Sequence, residues 1–481
     1  MIRRFATALV LLCLLPVAVQ AKLPAPVAQA LARAAIPTSS VALTVQDVTA
    51  RKPLIAVNAD QSMNPASVMK LVTAFAALEL LGPAYTWRTE VYLGGPLKDG
   101  VLHGDLILKG YGDPKLTIER FWLLLHTLRA RGLREIRGDL VLDRSYFDPG
   151  PHDAAGFDNE PLRPYNVGAD ALLLNFKTVR FGFAPDAMTG QVSIFPQPPL
   201  AQLKLESHVV AVQGDCGDWR AGLTRLVAQE NDSVNVRFSG TMPASCGERY
   251  WALSLLSGPQ YAWGMFHAMW QELGGTLAGS VRDGLVPPGD PPFATIESAT
   301  AAEVVRDMNK YSSNIIARQI FLTLSAEKWQ PPGRYEASAQ LVSAWLAQRG
   351  LDMPELLLEN GSGLSRIERI SAASLIELLV AAYRSPVMPE FIASLPLVAA
   401  DGTMRRRLRD ESVAGQAHVK TGSLADVRSL AGYVHTDDGR RLAFAFIVNH
   451  PNAGASQPAQ DALLKWLHEY VEPVRGPRAG R

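Results

Sequence analysis

The sequence predicts an α/β (α+β) fold in which one mixed domain is split by a large insertion of β-rich modules. Strands and a helix open the chain, helices and then three strands close it, and stretches of unlike texture lie between. At 481 residues, 48% hydrophobic and 19% charged, the chain has the composition of an ordinary globular protein. Its length allows about two to four domains.

Residues 1–21 combine a basic start (Arg3, Arg4), an apolar run and small residues before Lys22, the pattern of a cleavable export signal. Cys13 falls inside that segment, behind Leu11 and Leu12 rather than the small residues of a lipid-anchor site. No later stretch approaches the length of an apolar membrane span, so the expected product is exported and at most peripherally attached to a membrane. Cys216 and Cys246 remain, and in an oxidising compartment one disulfide is the economical reading, with two free thiols as the alternative. A formal net charge of +1 offers no global field for nucleic acid. The nine histidines are scattered without ligand spacing, so neither metal nor cofactor is expected.

Residues 41–50 alternate as a half-buried strand does, and 54–57 can pair back on it after Arg51-Lys52-Pro53. Asn64-Pro65-Ala66-Ser67-Val68-Met69-Lys70 then enters an apolar segment that stops at Gly82-Pro83, which reads as a buried helix. Beyond it come strands at 90–93, 100–110 and 138–143, with an amphipathic helix at 118–130. Gly112-Asp113-Pro114 reads as a turn, and 148–175 as a long loop bordering a cleft. Strands recur at 208–212 and 234–238, a helix at 261–273, and Gly289-Asp290-Pro291-Pro292 marks a boundary. Helices follow at 301–310 and 315–324. The tail holds strands at 417–421, 427–436 and 441–448 and a helix at 459–471.

Ser67 and Lys70 lie three apart, so on a helix their side chains share one face and can touch. A serine beside an amine, at a helix N-terminus that favours developing negative charge, is a candidate acyl-transfer nucleophile. A helix cap beside a partly exposed lysine is the plain alternative. The spacing alone is weak: Ser325-Ala326-Glu327-Lys328 repeats it where a solvated helix face is expected. Ser312-Ser313-Asn314 sits at a junction of helices, where a hydroxyl and an amide two apart can enter one cavity, although a cap would explain it equally. In Lys420-Thr421-Gly422-Ser423, a glycine within an alternating strand admits close approach of a backbone or ligand.

Ser-x-x-Lys, Ser-x-Asn and Lys-Thr-Gly, in this order behind an export signal, resemble the penicillin-binding proteins and serine β-lactamases. The insertion of roughly two hundred residues before Ser312 narrows the resemblance, as do Asn360-Gly361-Ser362-Gly363-Leu364-Ser365-Arg366 and Lys420-Thr421-Gly422-Ser423-Leu424. They are similar to the class C low-molecular-mass penicillin-binding proteins, D-alanyl-D-alanine carboxypeptidases and endopeptidases of the penicillin-binding protein four type. The resemblance implies a β-lactamase/transpeptidase-like domain, an antiparallel sheet flanked by helices, over 22–88 and 290–481. It implies an inserted domain over 89–170 and 250–289, and a β-rich one holding the disulfide over 171–249.

It also implies an acyl-enzyme on Ser67 formed from peptidoglycan stem peptides and trapped by β-lactams, in the periplasm. Lys70 would act as base, Ser312 as proton relay and Asn314 as a hold on substrate and Lys70. Thr421 and Ser423, backed by Lys420 and spaced by Gly422, would hold the terminal carboxylate. The N–H groups of Ser67 and Ser423 would receive the oxyanion. Arg366 would reach the stem-peptide side chain or instead pair with Glu368. Glu160 or Asp158 would meet that side chain's amine or be solvated loop acids. Ser313, Asn360 and Ala425 stand where relatives often have Asp, Asp and Gln. A β-lactamase and a cell-wall sensing module are the competing readings.

Overall fold

The computed structural model describes residues 22–470 apart from 187, 231 and 232, and the export segment falls outside them. Strands from the two ends of the chain form one sheet in the order Ala417–Ser423, Val427–His435, Arg441–Asn449, Val41–Asp47 and Ile55–Val57. All four pairings are antiparallel.

Side chains alternate across this sheet, and their sizes differ by face. Leu43, Val45, Phe444 and Phe446 pack on one side with Val27 and Leu31 of the helix Ala25–Arg33 and Leu463 and Leu467 of Gln457–His468. Ala42, Ala443, Ala445 and Ile447 face the other side, where small residues let the helix Ala372–Arg384 lie close. The same core takes in Lys70–Leu80, Ala301–Lys310 and Asn314–Lys328. Nearly every residue of Lys70–Leu80 is buried. A helix apolar on all sides is a buried helix, as its sequence indicated.

The insertion leaves and returns on neighbouring strands, Thr86–Gly94 and Ala294–Thr300, which pair antiparallel. Such adjacency lets a large insertion join a domain without disturbing its core. The inserted residues build a core of their own from Phe121, Phe181, Phe238, Phe266 and Trp270, among others. A six-stranded sheet within it runs Leu223–Glu230, Ser233–Pro243, Leu203–Val212, Gln191–Gln197, Val179–Asp186 and Arg249–Leu253. Cys216 and Cys246 are joined in a disulfide beside it, their Cα atoms 4.7 Å apart.

Two sequence expectations change here. The strand at 100–110 is two strands, Val101–Leu102 and Asp105–Gly110, which belong to different sheets. The break falls at Gly104, where a Cβ would lie 2.4 Å from the Gly94 carbonyl oxygen. Ser325, expected on a solvated face, is buried, and its Oγ takes hydrogen bonds from the Arg334 amide (3.2 Å) and the Ser338 hydroxyl (2.8 Å). The neighbouring Glu327 accepts from Tyr85 and Tyr146. A later loop and helix cover this turn, which a spacing argument could not foresee. No helix among the described residues is long and apolar enough to cross a membrane.

Candidate active site

Ser67 lies on a 3-10 turn, Ala66–Met69, that feeds directly into Lys70–Leu80. It makes no cap hydrogen bond, and Lys70 is fully buried, so the reading of a capping serine beside a surface lysine does not hold. From Met63 to Lys70, Ser67 is the residue with solvent access.

The entry to the turn is strained and clamped. Ala66 has φ +45°, a left-handed conformation that costs a non-glycine residue on the order of 1–3 kcal/mol. Its N–H is held by Asn64 Oδ1 at 2.8 Å. Asn64 exchanges two backbone–side-chain bonds with Asn449, 2.8 and 2.9 Å, and its Nδ2 donates to the Ser365 carbonyl at 2.9 Å.

Lys70 Nζ lies 3.0 Å from Ser67 Oγ and donates to Asn314 Oδ1 at 2.7 Å and to the Ser362 carbonyl. The two latter groups are obligate acceptors and occupy two N–H bonds. A neutral amine then has its lone pair left for the Ser67 hydroxyl proton. Burial, and next the charge of Lys420, hold Lys70 well below the ordinary lysine pKa; Arg318 adds to this and Glu368 opposes it.

Ser312 also adopts a left-handed φ, +55°, between Ala301–Lys310 and Asn314–Lys328. Its Oγ accepts from Lys420 Nζ at 2.8 Å, and Lys420 also donates to the Thr421 carbonyl at 2.7 Å. Burial brings the Lys420 pKa down to about 7. Ser313 turns away and caps the following helix by accepting from the Ile316 amide, which explains why a small polar residue other than Asp serves there.

Ala417–Ser423 is the edge strand of the sheet, with Lys420 and Gly422 buried and Thr421 and Ser423 on the accessible side. Gly422 runs against the backbone of the Ser67 turn: a Cβ there would lie 2.6 Å from the Pro65 oxygen and 3.1 Å from the Ser67 nitrogen. The close approach read from the glycine is therefore protein backbone. Thr421 Oγ1 meets Thr403 Oγ1 at 3.0 Å.

Arg366 does not pair with Glu368. Its guanidinium lies 4.4 Å over the Phe157 ring and 3.8 Å from Asp426, bridging the 157–166 loop and the end of the edge strand. Glu368 is instead fully buried. Glu160 pairs with Arg163 at 3.4 Å, while Asp158 accepts from the Tyr165 hydroxyl and from Asn166 Nδ2. The loop itself reaches the site, for Asn314 Nδ2 donates to the Tyr165 carbonyl at 3.4 Å. Asn360 takes the Ser362 N–H (3.0 Å) and hydroxyl (2.5 Å) on its Oδ1 and shapes the turn that carries the Ser362 carbonyl. No group of three or more His, Cys, Asp or Glu arranged to hold a metal ion occurs among the described residues.

Residues 23–470 match the D-Ala-D-Ala carboxypeptidase 3 (S13) family. The chain belongs to the S13 peptidase family. It is a serine-type D-Ala-D-Ala carboxypeptidase. The D-alanyl-D-alanine carboxypeptidase of Actinomadura sp. (strain R39) is 29% identical over 462 residues, covering 91% of this chain and 84% of that protein. The crystal structure of penicillin binding protein 4 from Haemophilus influenzae superimposes with a TM-score of 0.73 at 22% identity, over 91% of this chain and 99% of that one. The same protein complexed with a β-lactam gives 0.71 at 21% identity, over 92% and 99%. This S13 peptidase therefore has a transpeptidase-like fold with inserted domains, as its motifs implied.

Asn449 and Thr403 escaped the reading of the sequence, and the roles of Asn64, Ser362 and Glu368 within it did too. Asn64-Pro65 carried a usable signal, since Asn before Pro favours a turn held by the Asn side chain. Asn449, Thr403 and Ser362 act through contacts distant in sequence, whereas Glu368 gathers the amides of a nearby turn.

Proposed function

We propose that this S13 peptidase is exported to the periplasm and hydrolyses D-Ala-D-Ala ends and/or D-Ala–diaminopimelate crosslinks of peptidoglycan through an acyl-enzyme on Ser67, which penicillins trap. The observation that carries the reading is the Lys70 amine, held by two acceptors with its third direction on Ser67 Oγ. Ser67 Oγ attacks the D-alanyl carbonyl while its proton passes to Lys70; the Oγ–C bond forms and the C–N bond breaks. Ser312, tethered to Lys420, relays that proton from Lys70 to the leaving amine, so that both end as they began. Water then attacks the ester and gives a proton to the neutral Lys70, the Oγ–C bond breaks, and Lys70 returns the proton to Ser67. Ser67 and Ser423 N–H groups receive the oxyanion, and Thr421, Ser423 and Lys420 hold the terminal carboxylate. Arg366 borders the stem-peptide side, with Glu160 in the loop opposite.

Mass spectrometry tests this directly. Purified crosslinked muropeptides should release D-alanine, separate into monomers or do both, the products showing which bonds are cut, and penicillin should block the reaction while leaving its mass on the peptide that contains Ser67. Label on another residue, or intact muropeptides, would refute the assignment.

The two lysines also predict a pH profile. Activity requires Lys70 neutral and Lys420 charged. The value of kcat/KM should thus rise as Lys70 loses its proton and fall through about pH 7, where Lys420 loses its own. A bound carboxylate stabilises the Lys420 ammonium, so kcat should persist to higher pH than kcat/KM. Steady-state rates on a D-Ala-D-Ala peptide check this, and coincident alkaline limbs would contradict it.

A further inference from the structure

Glu368 touches none of the reacting groups, yet it organises one of the walls that does. Its carboxylate accepts four main-chain N–H bonds: from Glu359 (3.1 Å), Asn360 (3.0 Å) and Gly361 (2.9 Å) on one oxygen, and from Gly363 (2.8 Å) on the other. Its own N–H is fixed by Ser365 Oγ at 2.9 Å. Burial raises the pKa of this carboxyl while the four amides pull it back, and four converging donors fit the ionised form.

The turn so gathered meets the segment from Ala66 to Thr73 at three points. The Ser362 carbonyl receives Lys70 Nζ. The Gly361 carbonyl accepts from Thr73 Oγ1, one turn further along the helix, at 2.7 Å. Gly363 sits so close to the nucleophile's backbone that a Cβ would fall 1.9 Å from the Ala66 oxygen. The charges acting on Lys70 come from three elements: Lys420 on the edge strand, Arg318 on Asn314–Lys328, and Glu368 itself. Arg318 in turn feels Tyr335, Glu359 and Glu368. Glu368 is thus the negative charge that acts on Lys70, against the cations Lys420 and Arg318.

We propose that Glu368 is a positioning residue for acylation: it shapes the 359–363 turn so that the Ser362 carbonyl holds the Lys70 amine against Ser67. The inference rests on Ser67 and Lys70 acting as proposed above.

Glu368→Gln removes the charge and replaces one acceptor oxygen by a donor, so at least one amide of the turn loses its partner. Stopped-flow acylation by a fluorescent penicillin should slow about 10- to 100-fold, the scale expected when a reacting group is displaced by an ångström or less. KM for a D-Ala-D-Ala peptide should hold. The negative charge favours protonated Lys70, so its removal lowers the Lys70 pKa further and should move the acid limb of acylation to lower pH. Glu368→Asp keeps the charge but shortens the reach; it should lower the plateau and leave the acid limb in place. A merely structural role would not separate the two variants in this way.

A folded Glu368→Gln protein with wild-type rate and acid limb would overturn the proposal. If that variant does not fold, Glu368→Asp decides: a lowered plateau supports the proposal and a wild-type plateau overturns it. Retention of label by Ser67→Ala would instead overturn the assignment of the nucleophile, and this inference with it.

Discussion

Lys70→Met should lower the rate of acylation by β-lactam or peptide about 10³-fold, within the range that a positioned general base contributes. Methionine has nearly the length of lysine and suits a fully buried site, so the helix Lys70–Leu80 keeps its packing while the proposed proton acceptor disappears. The loss should appear in the rate of the chemical step, since Lys70 is buried behind Ser67 and the proposed carboxylate clamp lies on the edge strand. Two acceptors, Asn314 Oδ1 and the Ser362 carbonyl, also lose their donor, and each buried group left unpaired costs about 1–3 kcal/mol. The variant should therefore melt below the wild type as well. Stopped-flow labelling with a fluorescent penicillin measures the first effect and calorimetry the second. A Lys70→Met protein that acylates within tenfold of wild type would assign the base elsewhere.

The fold and the site were legible in the sequence to different depths. Helices at Ile118–Ala130 and Ala301–Lys310 have the bounds that periodicity and composition gave, because one face of each packs against a core and imposes a 3.6-residue rhythm. The three motifs were legible because each is a short run of chemically demanding residues. What joins them was not. Ala66 and Ser312 adopt left-handed conformations with no glycine or asparagine to announce them. These conformations persist because the surroundings hold them: Asn64 and the Asn449 clamp in one case, the Ser312–Lys420 bond in the other. Asn64 and Asn449 are 385 positions apart, and no local pattern records such a bond. Glu368 was misread for a similar reason. Beside Arg366 it looks like half of a surface ion pair, whereas its partners are the amides of a turn five to nine residues earlier.

Gly422→Ala should cut acylation about 10²-fold, a consequence of moving the proposed nucleophile Ser67 rather than of removing any catalytic group. The added Cβ would stand 2.1 Å from Ser429 Oγ, 2.6 Å from the Pro65 oxygen and 3.1 Å from the Ser67 nitrogen. The serine hydroxyl can rotate away only by abandoning its 2.5 Å bond to the Pro65 carbonyl. The Pro65 oxygen belongs to the main chain of the strained turn, so it can yield only if Ser67 moves with it. Either adjustment separates the edge strand from the Ser67 turn and enlarges the gap between the N–H groups of Ser67 and Ser423. In the proposed mechanism that spacing governs how both donors reach one oxyanion. The overpacking should also lower stability by about 1–3 kcal/mol. Adding Ser429→Ala removes the nearest overlap and leaves the Pro65 contact, so the double variant should recover stability more than rate. Full recovery of acylation in the double variant would show that the hydroxyl, and not the Pro65–Ser67 backbone, is what requires glycine at 422.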